Sequence, residues 1–353
     1  VSEQNTSGVD VAPATGDLAA APDSGAPRRS GAQRFLSGSV GRNLGLVLAL
    51  VVLVIVGAVT APDTFTSVSN VLTILRQASI IGVISIGMTL VIIAGGIDLS
   101  VGAVLGLASV VATLAAVQDL ADQLHWAVMI LIALAVGLAA GLINGIVIAY
   151  GKVVAFMATL AMLVAARGLA EILAERRTLQ VGNRDFIEFM NLDILGVDML
   201  IWIFAIVSVL GWVLLNRTTF GRRTVAIGGN REAARLAGIN VKRHTMWLYA
   251  ILGLCAGIAA VMMLGRTTAG TSTHGLLYEL DAIAAVVVGG TLLIGGRGTI
   301  TGTVFGVLIF ATLTNVFVQN NLTSSVQAVA KGVIIVVAVL LQQRFARPTG
   351  RAT

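Results

Sequence analysis

Charge is scarce in this chain. Only 11% of its 353 residues are Asp, Glu, Lys or Arg, against about 25% in a soluble domain, which excludes an ordinary water-facing globule. Cysteine is almost absent. Cys255 stands alone in an apolar run, so no disulfide framework exists. The three histidines (His125, His244, His274) are scattered without the spacing of metal ligands, and aromatic residues make up 5% of the chain. Catalytic signatures are missing too. No G-x-x-x-x-G-K-[ST] occurs; the nearest stretch, Gly145 to Val153, has the wrong spacing and lacks the hydroxyl. H-E-x-x-H, G-x-S-x-G and a G-x-G-x-x-G between strand and helix are also absent. The chain reads as a non-enzyme that binds no metal or cofactor of its own.

What remains is 57% hydrophobic, with forty glycines and five prolines. That composition suits long apolar helices packed closely through small residues. A bilayer crossing takes about 20 mainly apolar residues. Ten segments fit: 44–60, 74–94, 101–117, 126–149, 153–173, 199–215, 246–265, 280–294, 299–318 and 325–341, the eighth being the shortest. The expected fold is an all-α polytopic membrane protein of about ten transmembrane helices within 44–341. Residues 1–43, rich in Ala, Gly, Ser, Pro and Asp, read as a disordered tail, and 342–353 as a short C-terminal one. The first apolar run begins too far in for a cleaved signal peptide.

Orientation follows from the basic residues. Sixteen Lys and Arg fall on the side of the N-terminus and five on the other, with Arg167 and Lys331 inside spans. The excess places both termini in the cytoplasm. Basic residues sit at the ends of apolar segments, so they read as orientation signals and not as a nucleic-acid surface. Loop 174–198 then faces outward, where a partner could dock, and 216–245 is a basic cytoplasmic loop. Within it, Gly228 to Ile239 reads G-G-N-R-E-A-A-R-L-A-G-I. The pattern predicts a short helix capped by Asn230, carrying Glu232, Ala233 and Ala234, and stopped by Gly238. Its small alanines would admit another protein, and a chain without an engine needs one.

The chain also echoes itself. G-G-I-D-L-S-V-G-A-V-L-G from Gly95 and G-G-R-G-T-I-T-G-T-V-F-G from Gly295 share four glycines 200 positions apart. Each copy predicts a two-glycine turn followed by a helix with glycines four apart, suited to close helix contact. Asp98 in the first copy reads in two ways. Asp98 or Ser100 can cap the following helix, or Asp98 can lie on a solute route or moving joint, as intramembrane charges often do. Asn144 and Thr159 can bond a polyhydroxylated solute or a neighbouring helix. Arg167 and Glu171 have the spacing of a pair. Glu279 and Asp281 suit the start of a helix, and Asp281 is a candidate partner for Lys331.

Three stretches, 87–102 (G-M-T-L-V-I-I-A-G-G-I-D-L-S-V-G), 221–240 (G-R-R-T-V-A-I-G-G-N-R-E-A-A-R-L-A-G-I-N) and 279–291 (E-L-D-A-I-A-A-V-V-V-G-G-T), resemble the ribose-type sugar ABC transporter permeases. The likeness runs from about Asn70 to Gln342. It departs at the fifth span, where Ala155 precedes Phe156 and the family often has proline. The resemblance implies a homodimer in a bacterial inner membrane, embedded in lipid and multi-pass. It implies a partner ABC ATPase, usually a double cassette, that uses ATP and Mg, and an extracytoplasmic binding protein delivering a monosaccharide of the ribose, xylose, arabinose or galactose type. It also makes 221–240 the loop that contacts the ATPase, centred on Glu232, Ala233, Ala234 and Gly238. Gly95, Gly96, Asp98, Ser100, Asn144, Thr159, Glu279 and Asp281 are the candidates for pathway or hinge. With few aromatics the chain shows no sugar platform of its own, which leaves specificity to the binding protein. The rival expectation is an ion-coupled secondary transporter using Asp98, Glu279 or Asp281.

Overall fold

The computed structural model describes residues 39–346. The expected tails, 1–43 and 342–353, lie largely outside the described residues. The first helix, α1, runs Ser39–Thr60, ahead of the expected start at Leu44. After it come α2 (Pro62–Phe65), α3 (Val68–Ile93), α4 (Val101–Ala112), α5 (Ala115–Gln123), α6 (Ala127–Ala149) and α7 (Ala155–Leu173). Next are β1 (Leu179–Gln180), α8 (Arg184–Met190), β2 (Asp193–Ile194), β3 (Val197–Asp198) and α9 (Met199–Arg217). Then α10 (Thr219–Gly229), α11 (Arg231–Leu236), α12 (Val241–Thr267) and β4 (Ala269–Gly270) precede α13 (Tyr278–Val288), α14 (Ile300–Gln319) and α15 (Ser324–Ala346). The architecture is all-α, apart from two short antiparallel pairs, β1 with β4 and β2 with β3.

Among the described residues six helices are long and apolar enough to cross a membrane, and a seventh counts if α4 and α5, bent by 58°, form one span. The expected span 280–294 needs correction. Helix α13 has 11 residues, about 16 Å of rise against a hydrocarbon core of roughly 30 Å. It stops where Gly290 turns the chain at φ +88° and the Thr291 amide returns to Val286 O at 3.2 Å; Gly289 beside it lies so close to the Gly302 carbonyl that a side chain could not fit. The expected span 101–117 likewise breaks at Thr113, whose hydroxyl bonds back to Ser109 O and Val110 O.

Apolarity all round a helix predicts burial. Helices α3 and α12 are 83% buried over their most apolar windows and form the centre; α7 and α9 are only 22% buried and turn Val164, Ile172, Val209 and Leu210 outward, as a lipid-facing surface requires. The central contact is α12 on α6. Gly137, Gly141 and Gly145 of α6 face the backbone of Gly253, Tyr249 and Met246 so closely that a methyl group on Gly145 would stand 2.6 Å from Met246 O. This is small-residue packing of the kind membrane helices use in place of a hydrophobic drive. Polar clips join α3 to α14: Asn70 and Asn315 bond reciprocally at 3.1 and 2.8 Å, and the Thr89 and Thr303 hydroxyls meet at 2.7 Å.

The bundle has two distinct ends. At one, Arg76 of α3 pairs with Asp198, and β1 meets β4. At the other, α3 finishes against α10. Between β4 and α13 the irregular segment 271–277 lies along α4, with Gly275 against Gly102 and the Ser272 and His274 carbonyls against Gly106. Glycines four apart on α4 therefore seat a run of turns, not the helix expected there. Their copies, Gly302 and Gly306 on α14, do receive a helix, at Gly289 and Ala285 of α13.

Candidate functional site

The basic loop 216–245 folds as two helices, α10 and α11. Thr218 caps α10 through the Gly221 amide, an element not expected from the sequence. Asn230 then ends α10 and opens α11, its Oδ1 accepting from the amides of Glu232 (3.1 Å) and Ala233 (2.9 Å). Gly238 terminates the turn in the left-handed region at φ +82°, and Ile239 N–H returns to Ala234 O at 3.1 Å. The expected cap and stop stand as read. The outward face does not. Ala234 is buried against Ile227, Ile239 and Val241, so it anchors α11 to its own chain and is unavailable to a partner. Exposed instead are Glu232, Ala233 and Gly238, with Leu236, which the sequence reading passed over, 75% exposed. A leucine displayed to water beside a small-residue surface is an apolar knob. Arg235 Nε donates to both Glu232 oxygens at 3.1 Å. Those hydrogen bonds hold the Glu232 carboxyl below the ordinary carboxylate range and Arg235 above its own.

The Gly-Gly turns of the internal echo lie next to this unit. Gly95, Gly295 and Gly296 all have positive φ (80°, 87° and 78°), and the Gly296 amide donates to Ile93 O at 2.8 Å. Gly228, near the end of α10, is wedged between the end of α3 at Ile93 and the second turn at Gly295–Gly296. A β-carbon there would overlap the Ile93 carbonyl oxygen and stand 2.5 Å from the Gly296 nitrogen. Gly228 therefore meets the second copy directly, and the first is reached through Gly295, which lies against both Gly95 and the Gly228 carbonyl. A cavity of about 650 Å³ beside it is lined by Gly95, Gly96, Lys152, Glu232 and Tyr249, so the first turn and α11 share a wall.

Deeper in, Asp98, Ser100 and Asn144 form one buried cluster. Asp98 Oδ1 accepts from the Ser100 amide (2.7 Å) and hydroxyl (2.6 Å), and Asn144 Nδ2 reaches Ser100 Oγ at 2.9 Å. Ser100 is the N-cap position of α4 but makes no side-chain cap bond; Asp98 fixes the turn before the helix and not its first-turn amides. These hydrogen bonds join the turn before α4 to α6 through Asn144. Asp98→Asn keeps an acceptor for the Ser100 amide and is expected to retain most transport. Asp98→Leu strands that amide at a cost of about 1–3 kcal/mol and is expected to lose it. Uptake measured at equal membrane yield separates these; complete loss in Asp98→Asn would assign the carboxylate charge to the solute route.

The remaining candidates scatter. Thr159 is buried but bonds Ala155 O and Phe156 O of its own helix. Glu279 packs against Gly102, and its buried Oε2 has no hydrogen-bond partner among the described residues. Arg167 does not close on Glu171; it donates to Ser272 O and, at 2.9 Å, to His274 O, while Glu171 takes Arg176. The suggested Asp281–Lys331 pair is formed, at 3.2 Å.

A family model described as "Branched-chain amino acid transport system / permease component" matches residues 70–340. The chain is similar to the ribose import permease protein of Bacillus subtilis, 41% identical over 305 residues that cover 86% of this chain and 93% of that one. It is 39% identical to the ribose import permease protein of Haemophilus influenzae over 297 residues, 83% of this chain and 90% of that one. It is 35% identical to the L-arabinose transport system permease protein of Escherichia coli over 328 residues, 91% and 95% respectively. No solved structure matches the chain.

Proposed function

Because the chain belongs to the permease-component family of branched-chain amino acid transport systems, we propose that it is the membrane-spanning subunit of an ATP-driven importer of a monosaccharide. The ribose and arabinose import permeases among its relatives, alike over nearly their whole length, favour a sugar cargo over an amino acid. Having no phosphate-binding loop of its own, it depends on a separate ATPase. The protein sits in the bacterial inner membrane as a homodimer. It passes the bilayer ten times with both termini in the cytoplasm, α13 and the irregular stretches beside it making the eighth pass. Non-helical backbone at membrane depth is tolerated where protein buries it, and 271–277 lies against α4 in that way.

The observation that carries the mechanism is Gly228. The ATPase grips α11 at Ala233, Leu236 and Gly238, and α10 passes the displacement through Gly228 to the turn at 295–296, and from Gly295 to the turn at 95–96 that it touches. Those turns head α4 and α14, so one push moves both helices and changes which side of the bundle is open. A loaded binding protein docks at the other end, on 174–198. Reconstituted with its ATPase and binding protein, the permease is expected to take up ribose, arabinose or galactose, with leucine neither carried nor competing. Leucine uptake without sugar uptake would transfer the cargo to the amino-acid class.

A further inference from the structure

A cavity of about 180 Å³ lies among α3, the end of α12, α13, α14 and α15. That is space on the scale of a small solute. Its wall is chemically mixed. Asp281 of α13 and Lys331 of α15 face each other there at 3.2 Å, each about one-fifth exposed. Gln77 of α3 and Tyr278 of α13 join them, and neither side chain has a hydrogen-bond partner among the described residues. The opposite wall is apolar, with Ile81, Val307 and the ring of Phe310.

Gln77 and Tyr278 are half-buried, so their donors and acceptors are open to a polar solute that enters the cavity. Carboxylate oxygens accept, the ammonium donates, and amide and phenol do both. That set matches hydroxyl groups, each of which both gives and takes a hydrogen bond. The aromatic and aliphatic wall matches the C–H face of a sugar ring. An ion pair inside a membrane bundle is expensive and usually functional. A small apolar pocket with a few convergent polar groups is the usual form of a ligand site.

We propose that this cavity is a transit site for the carried sugar itself, a neutral polyol of five or six carbons, held by Gln77, Tyr278, Asp281 and Lys331. This rests on the reading of the chain as a sugar permease. It also revises the expectation that the permease offers no aromatic surface, since Tyr278 and Phe310 lie far apart in sequence and meet only in the fold. Specificity is then shared between the binding protein and the membrane subunit.

The test uses the full transporter in liposomes with binding protein and ATP, with D-ribose, L-arabinose and D-galactose as probes. Gln77→Leu and Tyr278→Phe are each expected to lower the maximal uptake rate about 10-fold, the scale of one hydrogen bond in a desolvated site. KM should hold, because the binding protein governs capture. The exchange Asp281→Lys with Lys331→Asp restores an ion pair but moves the carboxylate, so uptake should stay low while co-purification with the ATPase is normal. Wild-type rates in the two single variants, or full rescue by the exchange, would overturn the proposal while leaving the sugar reading intact. Failure of the wild type to take up any of the three sugars would overturn that reading first.

Discussion

Gly228→Val is expected to abolish sugar uptake while the permease still inserts and still binds its ATPase. The residue has no room for a side chain: backbone of Ile93 lies on one side and backbone of Gly296 on the other. Neither can swing aside as a flexible side chain would. Overpacking of this kind costs about 1–3 kcal/mol or more, and here it falls on the contact where α10 meets the end of α3 and the turn at 295–296. If that strain is borne by the coupled movement, transport falls roughly 10- to 100-fold for alanine and further for valine. ATPase binding should survive because α11 is anchored separately, by Ala234 packed on Ile227, Ile239 and Val241. The diagnostic pairing is ATP hydrolysis that continues without uptake. Wild-type uptake by Gly228→Val would remove α10 from the transmission path.

The second large effect concerns the grip itself. Leu236→Asp combined with Ala233→Arg should strip the ATPase from the permease during co-purification. Buried apolar anchors at interfaces commonly contribute 2 kcal/mol or more each, about 30-fold in affinity, and Leu236 is the exposed apolar side chain of the docking helix. Neither change touches the buried side of α11, so membrane yield should be normal. Ala234→Arg is a different experiment. It forces a charge into a buried contact and is expected to unravel α11, lowering yield as well as association. Wild-type co-purification by the Leu236/Ala233 variant would move the interface elsewhere on the loop.

The contrast between Ala233 and Ala234 shows where sequence reasoning stops. Asn230 and Gly238 were readable because a cap and a left-handed stop are local: each needs only its neighbours' backbone. Which side of a six-residue helix faces out is not local, since the span is too short to show a period, and only the contact with Ile227 and Val241 settles it. Hydropathy placed the helices that became α3, α6, α7, α9, α12 and α14. It overextended α13, because Gly289 and Gly290 look apolar in a window and act as a stop in the fold. Spacing paired Arg167 with Glu171, whereas the guanidinium is taken by carbonyls about a hundred positions away. The same limit hid Gly228. As one glycine among forty it carries no signal in sequence; its role comes from Ile93 and Gly296, about 200 residues apart, whose backbones close on it. The Asp281–Lys331 pair was legible because a charge in an apolar span must be answered, and few residues could answer it.

The account is tested most directly by energising purified permease in liposomes in two ways. Alone, under a proton or sodium gradient, it should accumulate no sugar; with its ATPase, its binding protein and ATP, it should concentrate sugar inside, and uptake should stop when ATP is withdrawn. Accumulation by the lone permease on an ion gradient would contradict the account and make this chain a secondary transporter.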